Sequence, residues 1–291
     1  MILSRFDDFL QVGETAEVSG IRNSIAAQEF GSDWTDPIGV RGYGLRFERT
    51  SASGTRLQFE FQRRIERPLT VNASPASGRF VPTIAADGLS RHVVAAGWSH
   101  TGRLGGGDGQ IRGAVRVSFS KLDSSDSSTF LAPPNDVLAR ASADVELTFP
   151  TTRGMLRTRT LVAGVGRTGV WGTPAQDAIY FGGPTSGPGY AFHSLAAPEA
   201  LSQRIEWQGR IPFVPLNLGR FGKVPSSLVV APYVHAVWLG RPLRGGSGWH
   251  PAVGLGTIAF FDLLRLDVSR GLRDGRWLFS MDIAREFWPV L

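Results

Sequence analysis

The last fifteen residues, 277–291, alternate between apolar side chains and smaller or polar ones. The apolar positions are Trp277, Phe279, Met281, Ile283 and Phe287. A period of two places these side chains on one face of an extended strand and the polar set on the other. A terminal strand of about ten residues with one apolar face and aromatic ends is typical of the strand that closes a membrane β-barrel. Strands of soluble sandwiches also alternate, so the remaining strands must decide between the two.

The same alternation recurs along most of the chain, in short runs separated by turns rich in glycine, proline and serine. In the clearest hairpin, a turn containing Gly54 separates a run around Phe47 from one around Phe59. We count eleven strands from residue 40 onward. Because single-chain bacterial barrels have an even number of strands, we predict a twelfth within residues 1–35, around Phe9–Ile21. Residues 1–39 are thus an N-terminal segment with a possible first strand, and residues 40–291 are the barrel.

The two faces of these strands differ in charge, and the connections between them differ in length. We predict that Phe59, Val117, Leu147 and Leu266 face lipid, whereas Glu60, Arg116, Glu146 and Asp267 face a wet lumen. The connections at 70–90, 121–137, 170–200 and 240–250 are long, and the others are short. Long loops on one rim and short turns on the other are typical of a membrane barrel. The sequence therefore predicts an all-β, antiparallel transmembrane β-barrel with about twelve strands.

Composition excludes several other classes of protein. The chain has no cysteine, which rules out disulfides, thiol catalysis and cysteine metal sites. No run of eighteen apolar residues occurs, so no helix is predicted to span a membrane. The net charge of +6 comes almost wholly from arginines, with Lys121 and Lys223 as the only lysines. These arginines are scattered through the strands, which favours lining a lumen over binding nucleic acid.

The N-terminus does not have the pattern of a secretory signal, because Asp7 and Asp8 interrupt its apolar residues. An outer-membrane protein requires such a signal. We therefore expect that the sequence is a piece of a longer chain or begins after a cleavage site.

Residues 180–190, Tyr-Phe-Gly-Gly-Pro-Thr-Ser-Gly-Pro-Gly-Tyr, resemble the signature of the BamA/TamA surface-antigen superfamily. The matching positions are Gly182, Gly183, Ser186, Gly189 and Tyr190. Five strands after this segment also agree with the family, so the resemblance is close over 155–291 and rests only on strand rhythm before that. The family normally has sixteen strands. The resemblance implies a long loop that folds back into the lumen.

Two positions depart from the family pattern. The arginine of the signature is replaced by Pro188, and the aspartate that usually pairs with it aligns near His235. Loss of both charges is self-consistent, because loss of one alone would leave an uncompensated charge in a confined site. We therefore interpret the chain as a divergent member whose loop is held by backbone and aromatic contacts, with His235 as a possible lumen partner.

The resemblance implies a bacterial outer-membrane protein that contacts lipids and inserts or translocates client outer-membrane or secreted proteins. The family's periplasmic polypeptide-transport domains have no counterpart here, which leaves two alternatives open. The barrel is an anchor or exporter for an N-terminal module such as a patatin-like lipase, or it is a passive pore or structural barrel.

No enzymatic chemistry is predicted. The five histidines have no paired ligand spacing, so we expect hydrogen-bonded structural roles and neither a metal site nor a cofactor. Ser186 lacks the Gly-x-Ser-x-Gly context of a nucleophile.

Overall fold

The computed structural model describes residues 2–13, 20–31, 33–69, 74–80, 84–105, 107–125, 136–167, 173–212, 216–217, 219–224, 227–259 and 264–283. Within these residues, none of the helices has the length and apolar character needed to cross a membrane.

Sixteen strands and one α-helix make up the described secondary structure, together with short 3-10 turns. The strands are β1 (Ile2–Gln11), β2 (Pro37–Thr50), β3 (Thr55–Arg67), β4 (Leu89–Arg103), β5 (Gln110–Ser125), β6 (Val137–Thr151), β7 (Gly154–Arg167), β8 (Ile179–Phe181), β9 (Leu195–Ala197), β10 (Glu199–Pro212), β11 (Leu216–Asn217), β12 (Lys223–Val224), β13 (Ser227–Leu239), β14 (Gly248–Ala259), β15 (Leu264–Gly271) and β16 (Trp277–Ile283). The helix α1 (Gly20–Phe30) lies between β1 and β2.

Twelve of these strands form one antiparallel sheet in the order β1-β2-β3-β4-β5-β6-β7-β10-β13-β14-β15-β16. The predicted number of strands is confirmed, and five strands of the sheet follow the segment 180–190. The first strand lies within residues 1–35, as predicted, but its placement around Phe9–Ile21 is wrong: it spans Ile2–Gln11, and Gly20–Phe30 is helical. The alternation that indicated a strand near residue 9 begins earlier in the chain. The boundary at residue 40 stays a prediction, and β1 belongs to the same sheet as the later strands.

The predicted facing is confirmed for Phe59, Glu60 and Asp267, and Arg116 contacts Glu60 on the lumen side. The facing of the other named residues stays a prediction. Phe59 is 49% exposed on the outer face, whereas the neighbouring Glu60 is buried on the inner face. In β15, the carboxylate of Asp267 is likewise buried. In these strands the apolar side chain points away from the protein and the carboxylate is enclosed by it. This is the reverse of a soluble fold, and it is the arrangement that a barrel in lipid requires.

The inner face of the sheet wraps around the segment 174–198. One apolar cluster joins Tyr180 and Ala178 of this segment to Ile38 and Val40 of β2. A second joins other residues of the same segment to β7, β13 and β14. Contact with strands from both halves of the sheet means that the sheet curves around the segment. The fold is an antiparallel β-barrel with a long loop inside its lumen, as predicted.

The connections of the large sheet differ between the two rims. Those after β1, β3, β5, β7, β13 and β15 lie on one rim, and four of them are the long connections predicted from the sequence. Tight turns join β2 to β3 and β6 to β7 on the other rim. These four long connections therefore gather at one mouth, where the inner segment enters. The connection between β10 and β13, which contains β11 and β12, lies on the other rim.

The facing of β3 is testable with two adjacent arginine substitutions. Phe59→Arg places a charge on the outer face and is expected to cost about 2–4 kcal/mol of unfolding free energy in lipid vesicles. Gln58 faces the interior and donates to Glu60 Oε1, so Gln58→Arg meets a carboxylate and is expected to cost much less. Urea titration of both variants measures the difference. Equal costs would show that the assigned register of β3 is wrong.

Candidate functional site

The predicted motif forms a compact turn that closes on itself inside the barrel. The N–H of Gly183 donates to the carbonyl of Tyr190 (3.0 Å), and that of Tyr190 donates to the carbonyl of Gly187 (3.0 Å). The hydroxyl of Ser186 accepts from Gly182 N–H (3.2 Å) and donates to the carbonyl of Gly182 (3.1 Å). The turn thereby satisfies much of its own backbone, which suits a loop buried away from water.

Two glycines of the motif occupy conformations that a larger residue cannot adopt. Gly182 has φ +119°, and a Cβ there would lie 1.9 Å from the carbonyl oxygen of Ala191. Gly189 has φ +85°, and a Cβ would lie 2.2 Å from the backbone nitrogen of Gly271. The second contact joins the loop to the end of β15. These glycines permit a backbone approach that side chains would prevent.

Tyr190 fastens the turn to the barrel wall. Its hydroxyl donates to the carbonyl of Pro251 on β14 (2.8 Å), and both Tyr190 and Pro188 are buried. The ring of Tyr190 packs edge-to-face with His250 at 5.7 Å between centroids. The sequence predicted both backbone and aromatic contacts for this loop, and the structure contains them.

An ionic anchor, which the sequence interpretation did not include, holds the other end of the loop. Arg91 of β4 donates to both oxygens of Asp177 (2.9 and 3.0 Å) and pairs with Glu66 of β3. Gln176 donates to Glu66 (3.2 Å) and to the carbonyl of Asp87 (2.9 Å). All these side chains are buried. The expectation of mostly backbone and aromatic contacts is therefore incomplete, because an ion pair outside the motif also holds the loop.

A third attachment links the loop to the connection between β1 and β2. His193 Nδ1 lies 2.5 Å from Asp36 Oδ2, and Asp36 Oδ1 accepts from the N–H of Ile84 (3.0 Å). The His193 ring stacks on Phe192 with centroids 3.8 Å apart. His193 has φ +50°, the only described non-glycine residue with positive φ. Such strain persists only where the surrounding contacts impose it.

Tyr180 stabilises the first turn of the loop from within. Its hydroxyl donates to the carbonyl of Ala175 (2.8 Å). Burial raises the pKa of Tyr180 to about 12, so the hydroxyl remains a donor at any physiological pH.

A cavity of about 80 Å³ lies beneath the tip of the loop, and both Ser186 and His235 line it. Ser202 Oγ and His235 Nε2 are 2.7 Å apart. His235 as a lumen partner of the loop stays a prediction, since its hydrogen bond is to Ser202 of the barrel wall. Deeper in the lumen, Glu206 accepts from Arg265 (2.8 and 3.0 Å) and Arg204 (2.7 and 3.1 Å).

The predicted apolar face of the closing strand is exposed where it is described. Trp277, Phe279 and Met281 are 64, 65 and 48% exposed, and Ser280 between them is buried. Ile283 ends β16, and Phe287 lies outside the described residues.

The anchor residues that the sequence interpretation missed had a detectable signal. Continuing the alternation of β3 beyond Glu60 puts Arg64 and Glu66 on the lumen face. Asp177, however, pairs with Arg91 from 86 residues further along the chain and lies outside the glycine motif, so only the fold brings it to this cluster. No group of three or more His, Asp or Glu side chains within the described part of the chain is placed to hold a metal ion.

Comparison with family models and with curated proteins yields no match. Among solved structures, the chain is similar to CdiB from Acinetobacter baumannii, with 15% sequence identity and a TM-score of 0.40. The alignment covers 87% of this chain and 51% of that one, so the chain spans about half the length of that structure. A likeness at this level adds nothing to what the strands themselves show about the fold.

The burial of the loop tip predicts how reactive an introduced thiol will be. The chain has no cysteine, so Ser186→Cys gives a single labelling site. Ser186 is 7% exposed, and we expect it to react far more slowly with a bulky maleimide than Ser247→Cys, an exposed residue on the same rim. Rapid labelling of both in folded protein would show that the loop leaves the lumen.

The ionic anchor predicts a large cost for one uncharged substitution. Asp177→Asn leaves the buried Arg91 undercompensated and is expected to lower the unfolding free energy by about 3–5 kcal/mol. Glu199→Gln breaks the exposed pair with Arg241 and is expected to cost about 0–1 kcal/mol. Urea unfolding in detergent measures both. Similar values for the two variants would contradict the anchor.

Proposed function

We propose that this chain is a bacterial outer-membrane β-barrel that assists the insertion or translocation of other proteins. The observation that carries this proposal is the pairing of the two end strands of the sheet. The order of the sheet begins at β1 and ends at β16, and within the described residues each is paired along one edge. An unpaired strand edge is a template for another strand.

Large apolar side chains lie on the outer face next to these edges, although Arg5 and Asp7 share that face of β1. Leu3 and Phe9 of β1 are 75 and 68% exposed, and Trp277 and Phe279 of β16 are similarly exposed. Lipid cannot hydrogen-bond to backbone groups, so an unpaired edge in the apolar layer is costly. A client strand that pairs with such an edge relieves this cost, which makes the edge a site for inserting strands without covalent chemistry.

The docked loop supports a gated barrel over a passive pore. Three separate attachments, at Asp177, His193 and Tyr190, hold the loop across the lumen. A passive pore has no use for so many contacts that obstruct its channel. This arrangement agrees with the resemblance of 180–190 to the BamA/TamA superfamily, of which we propose that the chain is a divergent member. Its partners are then outer-membrane lipids and client outer-membrane or secreted proteins.

Reconstituted vesicles provide the test. An unfolded outer-membrane client, diluted from urea, is expected to fold faster in vesicles that contain this chain than in empty ones, as measured by heat-modifiable gel migration. Conductance without faster folding would indicate a passive pore. Neither effect would indicate an anchor barrel, and either result would contradict the proposal.

Two proline substitutions in β1 make the test specific to the edge. Ser4 and Arg5 are consecutive and pair with Gly44 and Tyr43 of β2, so their N–H groups point to opposite edges of the strand. Proline is tolerated where the N–H faces away from the ladder. Of Ser4→Pro and Arg5→Pro, one is therefore expected to fold normally yet lose the acceleration. If Ser4→Pro and Arg5→Pro both fold and both still accelerate client folding fully, the edge is not used.

A further inference from the structure

A second cavity, of about 270 Å³, lies in the half of the lumen bounded by β3 to β6 and by the anchored start of the loop. Among the described residues that line it, four are arginines and two are carboxylates: Arg64, Arg91, Arg116, Arg140, Glu66 and Asp177. The cavity beneath the loop tip differs, since its four arginines face four described carboxylates: Arg157, Arg159, Arg204, Arg265, Glu146, Glu206, Asp267 and Asp282. Among the lining residues, positive charge therefore exceeds negative charge in the first cavity and is balanced in the second. Arg116 also pairs with Glu60 outside the lining, which leaves Arg64, Arg91 and Arg140 beside the two carboxylates.

The strand register explains why there is space between these arginines. Arg64 lies directly opposite Arg91 on the neighbouring strand, and Ser118 lies directly opposite Arg140. Ser120, one step along the same face of β5, is opposite Val93. Opposed residues have Cβ atoms roughly 4.5–5.5 Å apart. Small side chains thus form the floor, and long guanidinium side chains surround it.

The carboxylates at this site are shared between more than one cation. Glu66 contacts both Arg64 and Arg91, and Asp177 is held by Arg91 through its side chain. Arg140 donates to the main-chain oxygen of Asp177 (2.9 Å). Enclosed charges of one sign are costly unless an opposite charge compensates them. An anion in the cavity would provide that compensation.

Ser120 gives an independent indication of a ligand. The residue is 4% exposed, and its hydroxyl has no hydrogen-bond partner in the described structure. Buried hydroxyls are nearly always hydrogen-bonded. Because Ser120 lines this cavity, its hydroxyl can donate to a group that occupies the space.

We propose that this cavity binds a small oxyanion, which accepts hydrogen bonds from the arginines and from Ser120. Guanidinium groups match the geometry of phosphate and carboxylate oxygens, and the cavity has room for an ion of that size. An anion here lies beside the Arg91–Asp177 anchor. Its binding is therefore coupled to the docked position of the loop.

Calorimetry with inorganic phosphate tests the proposal on the full chain in detergent. We expect saturable binding of phosphate. Sodium chloride at the same ionic strength is expected to give no such binding. Ser120→Ala is expected to weaken affinity about tenfold, the loss of one hydrogen bond to a charged group. Ser280→Ala, a buried serine that lines the other cavity, is the matched control and should leave affinity unchanged.

Two further arms separate the sources of the oxyanion. If phosphate binds more tightly than a short peptide with a free C-terminal carboxylate, the ligand is a free tetrahedral ion. If the peptide acid binds more tightly than phosphate and the corresponding peptide amide does not bind, the ligand is a polypeptide carboxylate. Arg140→Gln is expected to weaken either ligand more than Ser120→Ala does. Absence of binding by all three probes, or equal effects of Ser120→Ala and Ser280→Ala, would overturn the proposal. If Arg140→Gln does not fold, the comparison of Ser120→Ala with Ser280→Ala decides.

Discussion

The buried ion cluster of Arg91, Glu66 and Asp177 is the interaction on which the interior of this barrel depends. It joins two neighbouring strands to a loop more than eighty residues further along the chain. Removing charges from water is costly, so each member is stabilised only while the others are present. The cluster therefore makes the docked loop and the register of β3 and β4 mutually dependent. A shift of one residue in either strand would turn the charge outward.

The outer surface follows from the same division of faces. Ion pairs such as Arg46 with Glu60 connect neighbouring strands inside the barrel, while Phe47 and Phe59, opposite each other on the same strands, project outward. Each strand thus satisfies its polar groups within the lumen and leaves an apolar band outside. Within the described residues, one edge of β1 and one edge of β16 have no partner strand, so their backbone groups are not satisfied by the sheet. The proposed function depends on these two edges.

The attachments of the loop have different physical characters. At Tyr190 and Gly189 the contacts are close, local and dominated by shape, whereas at Asp177 they are ionic and buried. His193 adds a strained backbone that only its surroundings maintain. Release of the loop requires all of them to break, which is consistent with a barrel that stays closed until a partner or client provides the necessary free energy. The proposed oxyanion would act on the ionic attachment alone.

The strand pattern determined the fold class, the number of strands and the facing of Phe59 and Glu60, because neighbouring residues specify a period of two. The inward loop was expected from the resemblance of residues 180–190 to the BamA/TamA superfamily. The first strand lies within residues 1–35, as predicted, but its bounds were wrong, because one strand and a following helix share a short, weakly patterned segment. The tertiary structure decided the rest: the pairing of Asp177 with Arg91, of His193 with Asp36, and the grouping of arginines around Ser120. Such contacts join residues far apart in the chain, and only the curvature of the sheet brings them within hydrogen-bond distance.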